Sequence, residues 1–370
     1  MVYIFTILTF FSILGAVDRC LNLKLGYGEK FQEGINVTGP LVLAMVGILS
    51  LSPILSRGIE PFVQVLYTVT GVDPSIYVNS FLALDMGGYY LAKDLAINKE
   101  LVNFSGLILG SMLGTVVIFT MPVAFGIIKE ESKDAFSKGI LSGIATIPLG
   151  CLVSGLLMGL KLPLVLYNLI PVVFIAISIS LGLWFFPIKT CKVFNNFGKF
   201  MTILISFGLI LTILEVMLNI QLIEGLNSIE NSMSVIIRIA LTLAGAFPFL
   251  HFVNRYFSRT LSKFGKILGM DDAGVSGFMA SLVNSIPMFG IFDKMNDDSK
   301  IINSAFSVGG AYIFGGQLGF VGGISPETVV PFIVGKLVAG FSAIYLAKII
   351  FIRKKGASNE EERKYGKIIF

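Results

Sequence analysis

Long apolar runs separated by short polar stretches form the pattern of this chain. They lie at 2–17, 35–56, 75–92, 101–128, 138–160, 163–186, 199–222, 232–252, 273–292, 301–323 and 329–351. Most of them approach the roughly 20 residues that an α-helix needs to cross the hydrocarbon core of a bilayer. The pattern therefore predicts an all-α polytopic membrane protein with about 9–11 membrane segments.

Two of these runs, 75–92 and 273–292, are interrupted by polar residues and glycines. The interrupting residues are Asp85, Gly87 and Gly88 in the first run and Asn284, Pro287 and Gly290 in the second. We expect both runs to form broken, re-entrant helices, each preceded by a semi-polar stretch (57–74 or 253–272) that lies along the membrane surface. Non-helical backbone at membrane depth is tolerated only where it is buried in protein or lines a cavity. The broken runs therefore predict the position of the substrate site.

A weak internal repeat divides the chain. The tetrapeptide Val-Asn-Ser-Phe at 78–81 recurs as Val-Asn-Ser-Ile at 283–286, and the order of apolar runs recurs with it. We predict a single transmembrane domain over 1–370, with a first repeat of about 2–160, a linker helix at 163–186, a second repeat of about 199–351 and a charged tail at 353–370. If both broken runs re-enter, an odd number of membrane crossings separates equivalent points of the two repeats. The second repeat is then inverted in the membrane relative to the first.

The basic residues are distributed unevenly between the predicted loops. With both broken runs re-entrant, 21 Lys and Arg residues lie on one side of the membrane and four on the other. Loops on the cytoplasmic side of a membrane are enriched in these residues. The distribution predicts a cytoplasmic C-terminus and places both ends of the second broken run in the cytoplasm. The first run is less constrained, because a crossing there leaves the bias at 19 to 6.

Composition narrows the classes of function. Hydrophobic residues make up 55% of the chain and charged residues 14%, about half the charged fraction of a soluble domain. A soluble enzyme, a disordered protein and a nucleic-acid binder are thereby excluded. The three cysteines are far apart and there is one histidine, so we expect neither a metal or redox site nor a cofactor.

Asp85 is the residue with the clearest chemical signal. A carboxylate at the bilayer centre costs roughly 2.5–3.5 kcal/mol on insertion scales, and the nearest charge in the sequence is Lys93. One hypothesis is that Asp85 binds a small cationic substrate. The other is that it caps a half-helix or pairs with a basic residue such as Arg238. Gly87 and Gly88 would let the helix unwind and expose carbonyl groups to an ammonium.

Amides and aromatic side chains extend the candidate site. Asn79 and Asn284 occupy matching places in the repeated tetrapeptide, where each either binds substrate or ties down its own broken helix. Aromatic rings near the broken runs can form cation–π contacts with an ammonium. These rings belong to Tyr89, Tyr90 and Tyr312. Lys336 lies nearer a predicted helix end, and we interpret it as a snorkelling or solvated residue.

Several motifs occur together in the order typical of one family. They are Ala-Val-Asp-Arg at 16–19, Phe-Gln-Glu-Gly at 31–34, Leu-Ala-Met-Val-Gly at 43–47, Asp-Met-Gly-Gly at 85–88 with Leu-Ala-Lys-Asp-Leu at 91–95, Ser-Gly-Leu-Ile-Leu-Gly-Ser-Met at 105–112 and Thr-Ile-Pro-Leu-Gly-Cys at 146–151. Together they resemble the ethanolamine-utilisation permease family, EutH, most densely over residues 16–151. The resemblance implies a permease in the cytoplasmic (inner) membrane of a bacterium that imports ethanolamine for breakdown as a carbon and nitrogen source.

The chain departs from that family at two places. Relatives often carry an acidic residue where this chain has Gln32, and a Pro-Thr pair where it has Thr115-Val116. If the family's threonine contacts substrate, Thr115 would have to take that role here. Ser111, in the neighbouring motif, is a further candidate ligand.

The predicted function is uptake of ethanolamine by a permease, without catalysis. A cation that moves inward gains about 2.3 kcal/mol per 100 mV of membrane potential, so facilitated uptake accumulates substrate without a coupled ion. Proton or sodium coupling stays open. The alternatives are an ion-coupled symporter of another small polar metabolite, such as choline or a nucleoside, and a non-transporting membrane scaffold. The predicted partners are ethanolamine and the lipid bilayer, without nucleic acid, and a homo-oligomer is left open.

Overall fold

The computed structural model describes residues 2–22 and 24–352, and within these ranges the chain forms helices and no strands. The helices are α1 (Val2–Leu21), α2 (Tyr27–Asn36), α3 (Thr38–Thr70), α4 (Pro74–Asn79), α5 (Tyr89–Leu95), α6 (Leu101–Ile127), α7 (Lys133–Leu157), α8 (Leu162–Phe185), α9 (Pro187–Leu218), α10 (Ile229–Ile267), α11 (Asp272–Ser281), α12 (Ser285–Gly290), α13 (Asp297–Gly309), α14 (Gly316–Ile324) and α15 (Val329–Ala347). An irregular turn at Leu84–Gly88 precedes α5. The predicted charged tail at 353–370 lies outside the described residues.

Eight stretches of the described chain are long and apolar enough to cross a membrane. They comprise α1, α2 with α3, α6, α7, α8, α9, α10, and α15 with its flanking turns. The all-α fold of a multi-pass membrane protein is thereby confirmed. The division into two inverted repeats stays a prediction.

The first broken run is a hairpin whose two ends are tied together by Asp73. One carboxylate oxygen of Asp73 caps α4 by accepting from the backbone N–H of Ser75 at 3.0 Å. The other oxygen accepts from the backbone N–H groups of Ile97 and Asn98, at 3.0 and 2.9 Å. The chain therefore leaves and returns at one point, so this segment does not cross from one side of the molecule to the other.

Asp271 ties the ends of the second broken run in the same way. Its Oδ1 atom caps α11 by accepting from the backbone N–H of Gly274 at 2.7 Å. Its Oδ2 atom accepts from the backbone N–H of Asn296, just before α13, at 2.7 Å. The two aspartates lie 198 residues apart, whereas the repeated tetrapeptides lie 205 apart. Measured from these anchors, Asn79 and Asn284 are not equivalent positions.

The two semi-polar stretches are not separate elements, and their position along the membrane surface stays a prediction. They continue the preceding helices, because α3 extends to Thr70 and α10 extends to Ile267. Prolines inside both helices are accommodated, as is common where neighbouring helices pack against a membrane helix. At a rise of about 1.5 Å per residue, both helices are longer than the roughly 30 Å hydrocarbon core.

The run 301–323 is a third broken element, although we predicted a continuous membrane helix there. Helix α13 ends at Gly309 and α14 begins at Gly316. Between them Tyr312 adopts a left-handed backbone conformation, with φ of 62°. The N–H groups of Tyr312 and Phe314 donate to the carbonyls of Ser281 and Leu282, each at 2.9 Å. The third break is therefore hydrogen-bonded to the end of α11.

Helix α6 presents a glycine at every fourth residue to the first broken run. Between Phe104 and Gly114 it is wound as a wider π-helix, a geometry frequent at functional sites. A Cβ atom on Gly114 would lie 2.0 Å from the carbonyl oxygen of Leu82, and one on Gly110 would lie 3.2 Å from the backbone nitrogen of Leu84. This direct backbone contact fixes the position of the turn that carries Asp85.

Candidate functional site

The first run is interrupted at the residues that predicted its break. Ala83 is extended, Met86 leaves the helical conformation, and Gly87 has φ of 91°. An L-residue with a side chain rarely adopts such a positive φ, and a Cβ atom on Gly87 would also lie 2.6 Å from Ile48. The irregular turn Leu84–Gly88 thus places Asp85 on unwound backbone next to α3, α6 and α14.

The carboxylate of Asp85 has no hydrogen bond or ion pair with another residue among those that the structure describes. Its electrostatic partner is Lys336 on α15. The hypothesis that Arg238 is its counter-ion is wrong, because Arg238 is exposed on α10, beside Gly323 of α14. A carboxylate without a hydrogen-bond partner at such a position either destabilises the fold or binds a ligand.

Lys336 is buried in the protein, so our interpretation of it as a snorkelling residue is also wrong. Its side chain is 1% exposed. The ammonium donates to the carbonyl oxygen of Ser111 at 2.8 Å and to Oε1 of Gln317 at 2.9 Å. It also lies 5.3 Å from the centre of the Phe332 ring. Neutral oxygens and an aromatic face therefore stabilise this buried cation.

A chain of hydrogen bonds extends from Lys336 across three helices. The amide nitrogen of Gln317, on α14, donates to the hydroxyl of Thr115 on α6 at 2.8 Å. That hydroxyl donates to the carbonyl of Gly110 at 2.9 Å. The Ser111 hydroxyl is bonded within its own helix, to Ile108 at 2.7 Å, so Ser111 contributes its carbonyl. Both α6 candidates thus belong to the polar network around Lys336.

Unpaired polar atoms surround the broken turn. Asn79 is fully buried; its amide nitrogen donates to the carbonyl of Ser75 at 3.0 Å, while its Oδ1 atom lacks a partner among the described residues. That oxygen faces Gly88, whose Cβ position lies 2.4 Å away. Tyr312 interacts electrostatically with Asp85 and lies beside Ser285. The hydroxyls of Tyr312 and Ser285 are buried without a hydrogen bond of normal geometry.

The remaining candidates lie at the edges of this site. Tyr89 and Tyr90 begin α5 directly after the broken turn, with their rings edge to face and 5.4 Å apart. Asn284 is exposed and caps α12, where its Oδ1 atom accepts from the backbone N–H of Ile286 at 2.9 Å. This is the helix-tying role that we considered as its alternative.

The structure therefore gathers most of the predicted residues but not all of them. Those brought around the broken turn are Asp85, Gly87, Gly88, Asn79, Tyr89, Tyr90, Tyr312, Ser111 and Thr115. Sequence reasoning missed Lys336 and Gln317. Lys336 is the eighth residue of α15, and the argument that singled out Asp85, a charge deep within an apolar run, applies equally to it.

Comparison with known proteins agrees with this architecture. The family described as "Ethanolamine utilisation protein, EutH" matches residues 2–350. A Listeria monocytogenes protein named probable ethanolamine permease EutH is 42% identical over 353 residues, which cover 94% of this chain and 95% of the relative. An Escherichia coli protein of the same name is 36% identical over 394 residues, covering 96% of this chain and 97% of the relative.

A third relative is the uncharacterized protein YxeR of Bacillus subtilis, which is 40% identical over 337 residues, or 91% of each chain. No solved structure matches the chain. Because the family match and the relatives cover nearly the whole sequence, the chain belongs to the EutH family of ethanolamine utilisation proteins.

Proposed function

We propose that the protein is a permease, not an enzyme, that imports ethanolamine across the bacterial cytoplasmic membrane, with the membrane potential as its driving force. The observation that carries the proposal is the carboxylate of Asp85, held on unwound backbone without a hydrogen-bond partner among the described residues. Relatives named as probable ethanolamine permeases support the choice of substrate. The C-terminus is cytoplasmic in this proposal.

The chemistry of ethanolamine fits the groups around Asp85. Transfer of an ammonium out of water is prohibitive unless a carboxylate or several oxygens replace its hydration shell. Asp85 supplies the carboxylate, and the free Oδ1 atom of Asn79 supplies a second acceptor. The rings of Tyr89 and Tyr90 provide an aromatic wall next to the turn.

A cavity of about 790 Å³ forms the route to this site in our proposal. It lies between α2, α10, α11 and α12, with Glu33 and Asp272 among its lining residues. Its lining extends to Asn284, the neighbour of Ser285, which lies beside Tyr312. Lys30 also lines the cavity and is ion-paired with Glu33, so Asp272 is the acidic lining residue that can attract a cationic substrate. By the distribution of basic residues, the cavity opens on the cytoplasmic side.

The test is uptake of radiolabelled ethanolamine into proteoliposomes with an imposed potential. An inside-negative potential should increase accumulation, since it favours each inward-moving cation by about 2.3 kcal/mol per 100 mV. Accumulation that does not respond to the potential would overturn the proposed driving force. Competition by unlabelled choline and nucleosides separates ethanolamine from the alternative substrates.

The role of Asp85 is tested by binding to Asp85→Asn protein. This change keeps the shape and removes the charge, and removal of one partner from a buried ion pair costs about 3–5 kcal/mol. Asp94→Asn is the matched control, because Asp94 is an exposed carboxylate on the same hairpin. Near wild-type affinity in monodisperse Asp85→Asn protein would move the ammonium to another group.

A further inference from the structure

The site contains two fixed charges of opposite sign. Asp85 provides the negative one on the broken turn, and Lys336 provides the positive one on α15. The two interact electrostatically but form no ion pair within 4.0 Å among the described residues. The two groups are therefore near each other without being in direct contact.

The groups that hold Lys336 in place are themselves hydrogen-bonded to neighbouring helices. Its acceptor Gln317 is fixed from the other end by the hydroxyl of Thr115, at 2.8 Å. Helix α15 is itself locked to α7, because the hydroxyl of Ser154 donates to the carbonyl of Pro331 at 2.9 Å. A rigidly positioned group is what selective recognition requires.

One N–H of the Lys336 ammonium is left for a ligand. A lysine ammonium has three donors, and the described residues provide acceptors for two of them, the carbonyl of Ser111 and the amide oxygen of Gln317. Of the neighbouring donors, the Thr115 hydroxyl is bonded, and the Gln317 amide nitrogen uses one of its two N–H groups. The remaining Lys336 donor can therefore be directed at an oxygen of the ligand.

We propose that Lys336 determines specificity by donating to the hydroxyl oxygen of an amino alcohol whose ammonium is bound by Asp85. This inference rests on the proposed function. It assigns the ligand a fixed orientation, with its cation toward Asp85 and its oxygen toward Lys336. A plain alkylamine leaves the Lys336 donor unpaired, and a diamine places a second positive charge against it.

The experiment measures competition against labelled ethanolamine on purified full-length protein. Ethylamine lacks the hydroxyl, and 1,3-diaminopropane, which is one carbon longer, carries a second ammonium in its place. Wild-type protein should prefer ethanolamine to ethylamine by about ten- to a hundredfold, the range expected for one charge-assisted hydrogen bond. Diaminopropane should compete poorly, and glycine tests whether the partner of Lys336 is a hydroxyl or a carboxylate.

Lys336→Met should reduce the preference for ethanolamine over ethylamine to about two- to threefold or less. Ethylamine should bind as well as before or better, because a like charge has been removed. Diaminopropane should now compete, a gain that misfolding cannot produce. Lys336→Gln provides a milder second variant, since its amide can still donate to the Ser111 carbonyl. Lys348→Met, at the end of the same helix and partly exposed, is the matched control.

The outcomes separate the two proposals. If both amines bind and Lys336→Met keeps the wild-type preference, the role of Lys336 is overturned while the permease proposal stands. Tighter binding of glycine than of ethanolamine to wild-type protein overturns the assignment of a hydroxyl partner. If wild-type protein binds neither amine, the proposed function itself fails.

Discussion

Replacement of Asp271 by alanine should loosen the attachment of the second hairpin to the start of α13. Three donors converge on this carboxylate: the backbone N–H groups of Gly274 and Asn296, each at 2.7 Å, and the hydroxyl of Ser299 at 2.9 Å. The first of these caps α11, and the second joins the two ends of the hairpin. Two further side chains also join these ends: the Ser299 hydroxyl accepts from the backbone N–H of Asp271 at 2.9 Å, and the Asn303 amide donates to the carbonyl of Gly274 at 3.0 Å.

The magnitude follows from these contacts. Loss of an N-cap acceptor costs about 0.5–2 kcal/mol, and each further hydrogen bond to a charged group is worth about 1.5–3 kcal/mol. Asp271 is partly exposed, so water replaces part of what is lost. We therefore expect Asp271→Ala to destabilise the hairpin by about 2–4 kcal/mol.

The assay is hydrogen exchange of residues 271–299 in detergent, together with the thermal midpoint. Asp272→Ala is the matched control, since Asp272 is the next residue, is exposed, and also lies at the N-terminus of α11. Asp271→Ala should speed exchange throughout this segment, whereas Asp272→Ala should have little effect. Equal effects of the two variants would refute the anchoring role and leave only a general effect of negative charge at a helix N-terminus.

The same anchor has a pH dependence of defined sign. Partial burial raises the pKa of Asp271, but hydrogen bonds from Asn296, Gly274 and Ser299 outweigh it and hold the pKa below its ordinary value of 3.8. A group whose folded pKa is lowered contributes stability above its unfolded pKa and loses it as the pH falls through the folded value. The stability difference between wild-type protein and Asp271→Asn should thus be constant from pH 7 to about 5 and shrink only below about 4. A difference that vanished above pH 5 would contradict the assignment.

Two further predictions concern packing and topology. Gly114→Ala should lower both uptake and the thermal midpoint, because its Cβ would lie 2.0 Å from the carbonyl oxygen of Leu82. Gly126→Ala, in open space on the same helix, should leave both unchanged. Equal tolerance of the two changes would show that α6 can move away from the broken run. Single cysteines at Lys263 and Lys300, in protein without its native cysteines, should both resist a membrane-impermeant thiol reagent on intact cells, because both ends of the second hairpin are predicted to be cytoplasmic. Labelling of either one from outside would refute that orientation.

The sequence was sufficient to predict the first two broken elements. Gly87 and Gly88 beside Asp85 interrupt an apolar run visibly, and the structure breaks the helix there. The third break was missed because residues 301–323 contain no charged residue and no proline, and their glycines are equally compatible with close packing of a continuous membrane helix. Tertiary hydrogen bonds stabilise the break between α13 and α14. The N–H groups of Tyr312 and Phe314 donate to carbonyls at the end of α11, a segment remote in sequence.

The aspartate anchors were also missed, for a local reason. Asp73 and Asp271 each precede a short helix and look like ordinary surface N-caps. The second carboxylate oxygen of each aspartate accepts from a backbone N–H about 25 residues further along the chain. No pattern in the sequence predicts this long-range hydrogen bond. Hydrophobic periodicity specifies the helices, whereas the ends of each hairpin are joined by a carboxylate that accepts from two sets of donors.

The distribution of unpaired groups points to where a ligand belongs. Backbone groups freed by the second and third breaks bond to each other, since the end of α11 accepts from Tyr312 and Phe314. A membrane protein requires this, because each unsatisfied backbone group in hydrocarbon costs several kcal/mol. The polar atoms without a hydrogen-bond partner around the first break are instead side-chain atoms, the carboxylate of Asp85 and Oδ1 of Asn79 among the described residues. Apolar side chains at these two positions would avoid the cost of burying unpaired polar atoms. The polar side chains are explained if a small ammonium with a hydroxyl group completes their hydrogen bonds.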